Sequence, residues 1–191
     1  MSLQVNFVTT NAYKFDIAEQ SLQENGGHGL TVVQYAIETP EIQDNSAENI
    51  AEYSAKWVAS QIGGIAVASD VAFSISALNG FPGPFIKYAN NWFTPEDVLR
   101  LMSGKEDRKA WFTDVLACAT PNGDCKTFTQ VTEGKIVDAE RPEPTKWTMD
   151  ALFVPDGHAL TLAEMDDSER DAVWSTETWK SVAQHIRDLK S

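Results

Sequence analysis

Three short, β-rich apolar runs, Val5–Thr9, Leu30–Ala36 and Ile65–Ala68, are separated by two segments of helical character, Lys14–Gln23 and Ser46–Gln61. This alternation constrains the fold more than any other feature. Strands joined through helices pair in parallel, and the layers must cover one another. Each predicted helix carries its own stop, Asn25-Gly26-Gly27 after the first and Gly63-Gly64 after the second. Val71–Leu78 then alternates apolar with small or polar residues in the period-2 manner of a further strand. The second half reads differently. Trp111–Thr120 and Lys126–Thr132 flank a Pro121-Asn122-Gly123-Asp124 turn and form a predicted hairpin, and Ile136–Ala139 adds an expected strand. Thr94 and Pro95 open a helix through Met102, Thr161–Met165 starts a further element, and Glu177–Leu189 closes the chain as an amphipathic helix. The expectation is a mixed α/β domain with a parallel beginning and an antiparallel middle.

A chain of 191 residues with 42% hydrophobic residues can bury one sizeable core, so residues 1–191 are read as one domain. The longest strongly apolar run, Gly64–Ala68, is too short to span a bilayer, and the start of the chain lacks a signal-peptide pattern. A soluble, cytoplasmic protein is expected. Fifteen Lys and Arg stand against 28 Asp and Glu, a formal net charge of -13. Such a balance disfavours nucleic acid and anionic membranes as partners, since both need clustered basic groups. A small polyanion stays compatible if a few lysines face one site and a divalent cation screens the carboxylates. Cys118 and Cys125 have neither metal-ligand spacing nor the density of a disulfide framework and are read as free thiols.

Three polar constellations fall at predicted strand ends or in tight loops, where function concentrates. The first is Thr9, Thr10, Asn11 and Lys14. Thr and Asn there suit a helix N-cap, and equally suit a phosphate held by hydroxyls, amides, backbone N–H groups and one cation. The second is the pair Glu41 and Asp70, each following an apolar strand. Either carboxylate alone reads as a cap or a solvated loop residue; together at one site they make a hard oxygen pair suited to Mg²⁺. The third is the glycine- and proline-rich run Asn79–Pro84, with Lys87 just beyond it. It reads as a rigid corner with a surface lysine, or as a substrate loop. No G-x-G-x-x-G follows the first strand and no Walker sequence occurs. His28, His158 and His185 are scattered and suggest neither a zinc site nor a Ser-His-Asp triad.

The segments "FVTTNAYK", Thr39–Glu41, "ASDVAFSISALNGFPGPFIKY" and "WTMDALFVPDGHALTLAEM" occur in one order over nearly the whole chain. In this the sequence resembles the inosine triphosphate pyrophosphatase family, which removes non-canonical purine nucleoside triphosphates. The resemblance implies an elongated α/β fold with a mixed sheet and flanking helices, two lobes around a central substrate cleft, and a homodimer. It also implies Mg²⁺-dependent cleavage of the α–β phosphoanhydride, giving a monophosphate and pyrophosphate. Carried over, Thr9, Thr10, Asn11 and Lys14 would lie along the triphosphate. Glu41 and Asp70 would hold the metal, with Asp70 also activating the attacking water, and Lys87 would be a further substrate contact. Trp147, Met149 and Asp150 would form the base pocket, with Phe153, Arg170, Ser175 and Thr176 at further substrate-contacting positions.

The departures from the family pattern cluster. Thr10 replaces a glycine, Ser69 replaces one of two adjacent acidic residues, and Tyr53 occupies the place of a lysine, with Lys56 one turn further on as its expected substitute. Arg170 stands at another lysine, and Trp174, Ser175 and Thr176 replace the Ser-His-Arg triplet that reads the 6-keto purine edge. Thr148 and Ala151 replace a glycine and a proline of the pocket wall. These changes imply altered or relaxed base specificity. The alternatives are a non-catalytic nucleotide-binding relative and a pyrophosphatase acting on a different modified nucleotide.

Overall fold

A computed structural model of the chain describes residues 3–26, 29–40, 42–139, 141 and 147–189. Strand β1 (Leu3–Val8) leads into helix α1 (Ala12–Gly26), strand β2 (Leu30–Tyr35), helix α2 (Ala47–Ile62) and strand β3 (Ile65–Ile75). A 3-10 turn at Ser76–Leu78, a two-residue strand β4 (Pro82–Gly83) and helices α3 (Ile86–Trp92) and α4 (Pro95–Leu101) follow. Strands β5 (Lys109–Ala119), β6 (Cys125–Ile136) and β7 (Phe153–Pro155) precede helices α5 (Asp167–Val173) and α6 (Glu177–Asp188). The sheet runs in the order β2-β1-β3-β5-β6-β7, with β4 paired to β3. β1 is parallel to both β2 and β3, with Val5 opposite Val32 on one side and Ile65 on the other. β4 pairs antiparallel with β3, and β7 pairs antiparallel with β6. The expected mixed α/β sheet is present.

The chain divides into two compact units. The first comprises Met1–Asp70, Asp114–Gln130 and Thr176–Ser191, and the second Val71–Thr113 and Val131–Ser175. In the first unit, β1 buries Val5 and Phe7 against Ala18 and Leu22 of α1 and against Val182 and Ile186 of α6. Of the apolar side foreseen for the closing helix, Trp179, Val182 and Ile186 meet this core whereas Leu189 is exposed, and Phe7 sits 5.9 Å from the Trp179 ring. Ser46 caps α2 by accepting from the Asn49 N–H, and Gly63 ends it at φ 61 in the left-handed region that glycine adopts without strain.

In the second unit the core is aromatic. Phe73, Phe112 and Phe153 meet one another tilted or edge to face, at centroid distances of 4.6 to 5.5 Å. Gly134 on β6 lets β7 approach: a Cβ there would stand 2.3 Å from the Val154 carbonyl oxygen and 2.6 Å from Phe153 Cζ. Thr94 and Asp97 form a reciprocal capping box at the start of α4, with Pro95 in the first turn.

Three sequence expectations change. The separate strands at Ile65–Ala68 and Val71–Leu78 are one strand, β3, ending at Ile75. Ser69 and Asp70 sit in its middle, where β1 stops pairing at Ala68 and β4 begins at Phe73. Ile136 is the last residue of β6, so Ile136–Ala139 forms no strand of its own, because the hairpin strand runs further than its apolar alternation suggests. Thr161–Met165 forms turns, closed by N–H groups of Glu164 and Met165 donating to the Thr161 carbonyl, and the next helix starts at Asp167.

Candidate active site

In the first unit, the segment after β1 folds back on itself before α1 begins. The Asn11 N–H donates to Thr9 Oγ1 at 3.1 Å, and Asn11 Oδ1 accepts from the N–H groups of Tyr13 at 3.0 Å and Lys14 at 3.4 Å. Asn11 is therefore the N-cap of α1, which satisfies donors that a helix start otherwise leaves bare. The Thr9 backbone is fixed as well, its N–H donating to the Tyr35 carbonyl at 3.3 Å and its carbonyl accepting from Gln34 Nε2 at 3.1 Å. Thr10, Asn11 and Lys14 are exposed, so their side-chain ends stand on the surface of a rigid turn. An exposed cation beside a helix N-terminus is an arrangement that attracts anions.

Asp70 lies on β3 at the last position of that strand's first-unit stretch, half-buried, with Oδ2 shielded from solvent. Asp114 is the first residue of the first-unit stretch of β5, the neighbouring strand. Its Oδ2 is also shielded and has no hydrogen-bond partner among the described residues. Burial pushes the Asp114 carboxyl up to about 6, and the charge of Lys14 pulls the other way. Lys14 and Asp114 belong to the same unit. Sequence reading missed Asp114. The signal was there, a single acid within the otherwise apolar run Val115–Ala119 and Ala110–Phe112, which reads most simply as the outward-facing partner of an alternating strand.

Lys56 is engaged elsewhere. Its Nζ lies 2.5 Å from Glu52 Oε1 one turn back on α2, and this pair raises the Lys56 pKa. Tyr53 is exposed on the same helix. Glu41 lies outside the described residues, as does His28. Thr176 precedes α6 and makes no side-chain capping bond there. Among the described residues no three His, Cys, Asp or Glu side chains come together as a metal-holding group.

The second unit holds the remaining candidates. Lys87 is exposed in the first turn of α3. The turn at residues 147–152 is tied to that helix, Asn90 Oδ1 accepting from the Met149 N–H at 3.0 Å and Thr148 Oγ1 donating to the Phe93 carbonyl at 2.6 Å. Trp147 is exposed to 38%. Met149 and Phe153 are completely enclosed by the core, so neither side chain presents surface to a ligand. Asp150 is buried and accepts from Arg170 Nη2 at 3.0 Å; burial pushes its carboxyl up to about 6, against the pull of the guanidinium. Trp174 packs edge to face on Phe112 at 5.3 Å, and Ser175 is half-buried beside it.

A family model, described as the Ham1 family, matches residues 5–176. A dITP/XTP pyrophosphatase of Methanopyrus kandleri is 35% identical over 168 residues, covering 88% of this chain and 87% of its own. A dITP/XTP pyrophosphatase of Methanosarcina acetivorans is 34% identical over 170 residues, covering 89% of each chain. Among solved structures, a HAM1 protein from Coxiella burnetii superposes with a TM-score of 0.82 at 22% identity, covering 97% of this chain and 99% of its own.

Proposed function

Because the chain belongs to the Ham1 family, we propose that it hydrolyses nucleoside triphosphates to the monophosphate and pyrophosphate, with a base preference that is altered or relaxed. The observation that carries this reading is the capped turn at the start of α1, which leaves Thr10, Asn11 and Lys14 exposed directly after β1, where the paired strand β3 runs on from Ala68 to Asp70 inside the same unit. The names of the relatives, dITP/XTP pyrophosphatases, support the same chemistry.

In this reading Thr10, Asn11 and Lys14 bind the phosphates, and Lys87 adds a second cation. Asp70 accepts the proton from the attacking water as the water oxygen bonds to the α-phosphorus. The bond from that phosphorus to the bridging oxygen breaks, and pyrophosphate leaves with the electron pair. A carboxylate within reach of that water suits the role of general base. Mg²⁺, when bound, offsets phosphate charge and polarises the phosphoryl oxygens. The donor chemistry fits it: Asp70 and Asp114 are hard oxygen ligands, and Mg²⁺ takes one or two carboxylates with substrate phosphates completing its shell. Glu41 is the further proposed ligand.

At the base end, Asp150 and Arg170 form the polar pair, with Trp147, Ser175 and Thr176 as further contacts, and Met149 and Phe153 support the turn from inside the core. The reading also takes the protein as a cytoplasmic homodimer, and no described helix is long and apolar enough to cross a membrane. The deciding experiment measures pyrophosphate release from a panel of nucleoside triphosphates with and without Mg²⁺. Release that needs Mg²⁺ is expected; nucleotide binding with no turnover on any substrate would overturn the proposal.

A further inference from the structure

Asp114 is a charge in an unfavourable place. It sits in a strand between Phe112 and Val115, both buried, its Oδ2 is shielded, and no described donor satisfies that oxygen. Among the described residues Lys14 is the cation whose charge pulls on it, yet the two form no ion pair within 4.0 Å. A carboxylate left like this costs stability unless something else gains from it. It stands on the strand next to the one that carries Asp70, in the unit that also holds Lys14. Ser69, beside Asp70, supplies no second carboxylate from β3 itself.

We propose that Asp114 makes phosphate binding at the start of α1 conditional on a divalent cation. This inference rests on the functional reading above. Ionised, Asp114 offsets the attraction of Lys14 and repels a bare polyphosphate, and its shielded oxygen leaves that field less screened than that of a carboxylate in open solvent. When a divalent cation accompanies the phosphates, the same carboxylate attracts the complex. The sign of its effect reverses between the two conditions. A residue that merely supports the fold has no such reversal, because loss of packing weakens both forms of the ligand alike.

The test is calorimetric titration of inorganic tripolyphosphate into the full chain, once in EDTA and once in excess Mg²⁺. The wild type should bind at least about ten-fold more tightly with Mg²⁺. Asp114→Asn, which keeps the side-chain shape and removes the charge, should bind about ten-fold more tightly than the wild type in EDTA, and its Mg²⁺ enhancement should fall below about three-fold. Asp114→Thr, a residue suited to strands, should behave in the same way, which separates charge from any fault of the Asn variant. Variants that keep the wild-type enhancement, or lose affinity equally in both conditions, overturn the role of Asp114 alone. A wild type that binds tripolyphosphate in neither condition overturns the functional reading and this inference with it.

Discussion

Arg170 donates from Nη2 to Asp150 Oδ2 at 3.0 Å, setting a guanidinium that is 38% exposed against a carboxylate that is 13% exposed. Burial raises the Asp150 carboxyl to about 6 despite that partner. An acid raised in the folded state holds its proton more tightly there than in the unfolded chain, so its contribution to stability is complete below about pH 4 and is lost as pH rises through about 6. Arg170→Ala leaves the ionised carboxylate uncompensated at alkaline pH and changes little when the acid is neutral. The loss of stability should be about 1–2 kcal/mol larger near pH 8 than near pH 4, less than for a fully buried pair because Arg170 reaches solvent. Urea midpoints of both proteins at the two pH values measure this, and equal losses would contradict it.

The elements that the sequence made legible are those whose ends are encoded locally. Ser46 caps α2, Thr94 and Asp97 box the start of α4, and Gly123 at φ 93 closes the β5–β6 hairpin, so each boundary follows from a few adjacent residues. The elements that stayed hidden depend on distant partners. β7 has three residues and exists because Gly134 admits Phe153 and Val154, while α5 buries no residue and so leaves no apolar period to read. The same division runs through the candidate site. Thr9 and Asn11 were visible as a cap, whereas Asp114 acquires meaning only when β5 is laid next to β3 and its oxygen turns out to be shielded.

If Asp70 takes the proton from water, Asp70→Asn should lower the rate of pyrophosphate release by about 10²- to 10⁴-fold while the fold is kept. The amide preserves the shape and cannot accept that proton. A pyrophosphate assay beside a thermal unfolding curve tests both halves. Unchanged turnover by a folded variant would move the base elsewhere.

Two lysines of the first unit, Lys14 and Lys56, should separate cleanly. Lys14 stands exposed beside the capped turn, whereas Lys56 is held 2.5 Å from Glu52. A charged hydrogen bond to phosphate is worth about 1.5–3 kcal/mol, so Lys14→Ala should raise KM by roughly 10- to 100-fold. Lys56→Ala should change KM by less than about three-fold, since a lysine already paired has little to offer a ligand. Steady-state kinetics on one substrate decides it, and a larger effect at Lys56 would show that the ion pair opens for substrate.

Gly134 should be intolerant of even one methyl group. The Cβ of Gly134→Ala would lie 2.3 Å from a backbone oxygen of β7 and 2.6 Å from the Phe153 ring. Backbone cannot step aside as a side-chain end can, so the variant should lose about 1–3 kcal/mol or more. Equilibrium unfolding measures the loss. Because Phe153 lies under the turn that carries Asp150, nucleotide KM should also rise in G134A, and wild-type stability would show that β7 shifts without cost.

In the proposed reading, base preference follows from what fills the positions of the family's base-reading triplet. Trp174 occupies one of those positions, and its ring lies edge-on to Phe112 at 5.3 Å and 88°, packed on the aromatic core of the second unit. An indole fixed that way contributes packing, an aromatic pair being worth about 0.5–1.5 kcal/mol beyond its buried area. Trp174→Phe should therefore lower the unfolding midpoint while leaving nucleotide KM within about two-fold. Ser175 and Thr176 carry hydroxyls, which both donate and accept and so distinguish a keto from an amino edge poorly. A good bidentate donor to a keto edge discriminates by about 1–3 kcal/mol, and without one the ratio of kcat/KM between inosine and adenosine triphosphates should stay below about five. Competition between the two nucleotides in one reaction measures that ratio directly. A bias above about 100-fold toward inosine triphosphate would mean that the Asp150–Arg170 pair alone reads the base, with Arg170 donating to the keto oxygen.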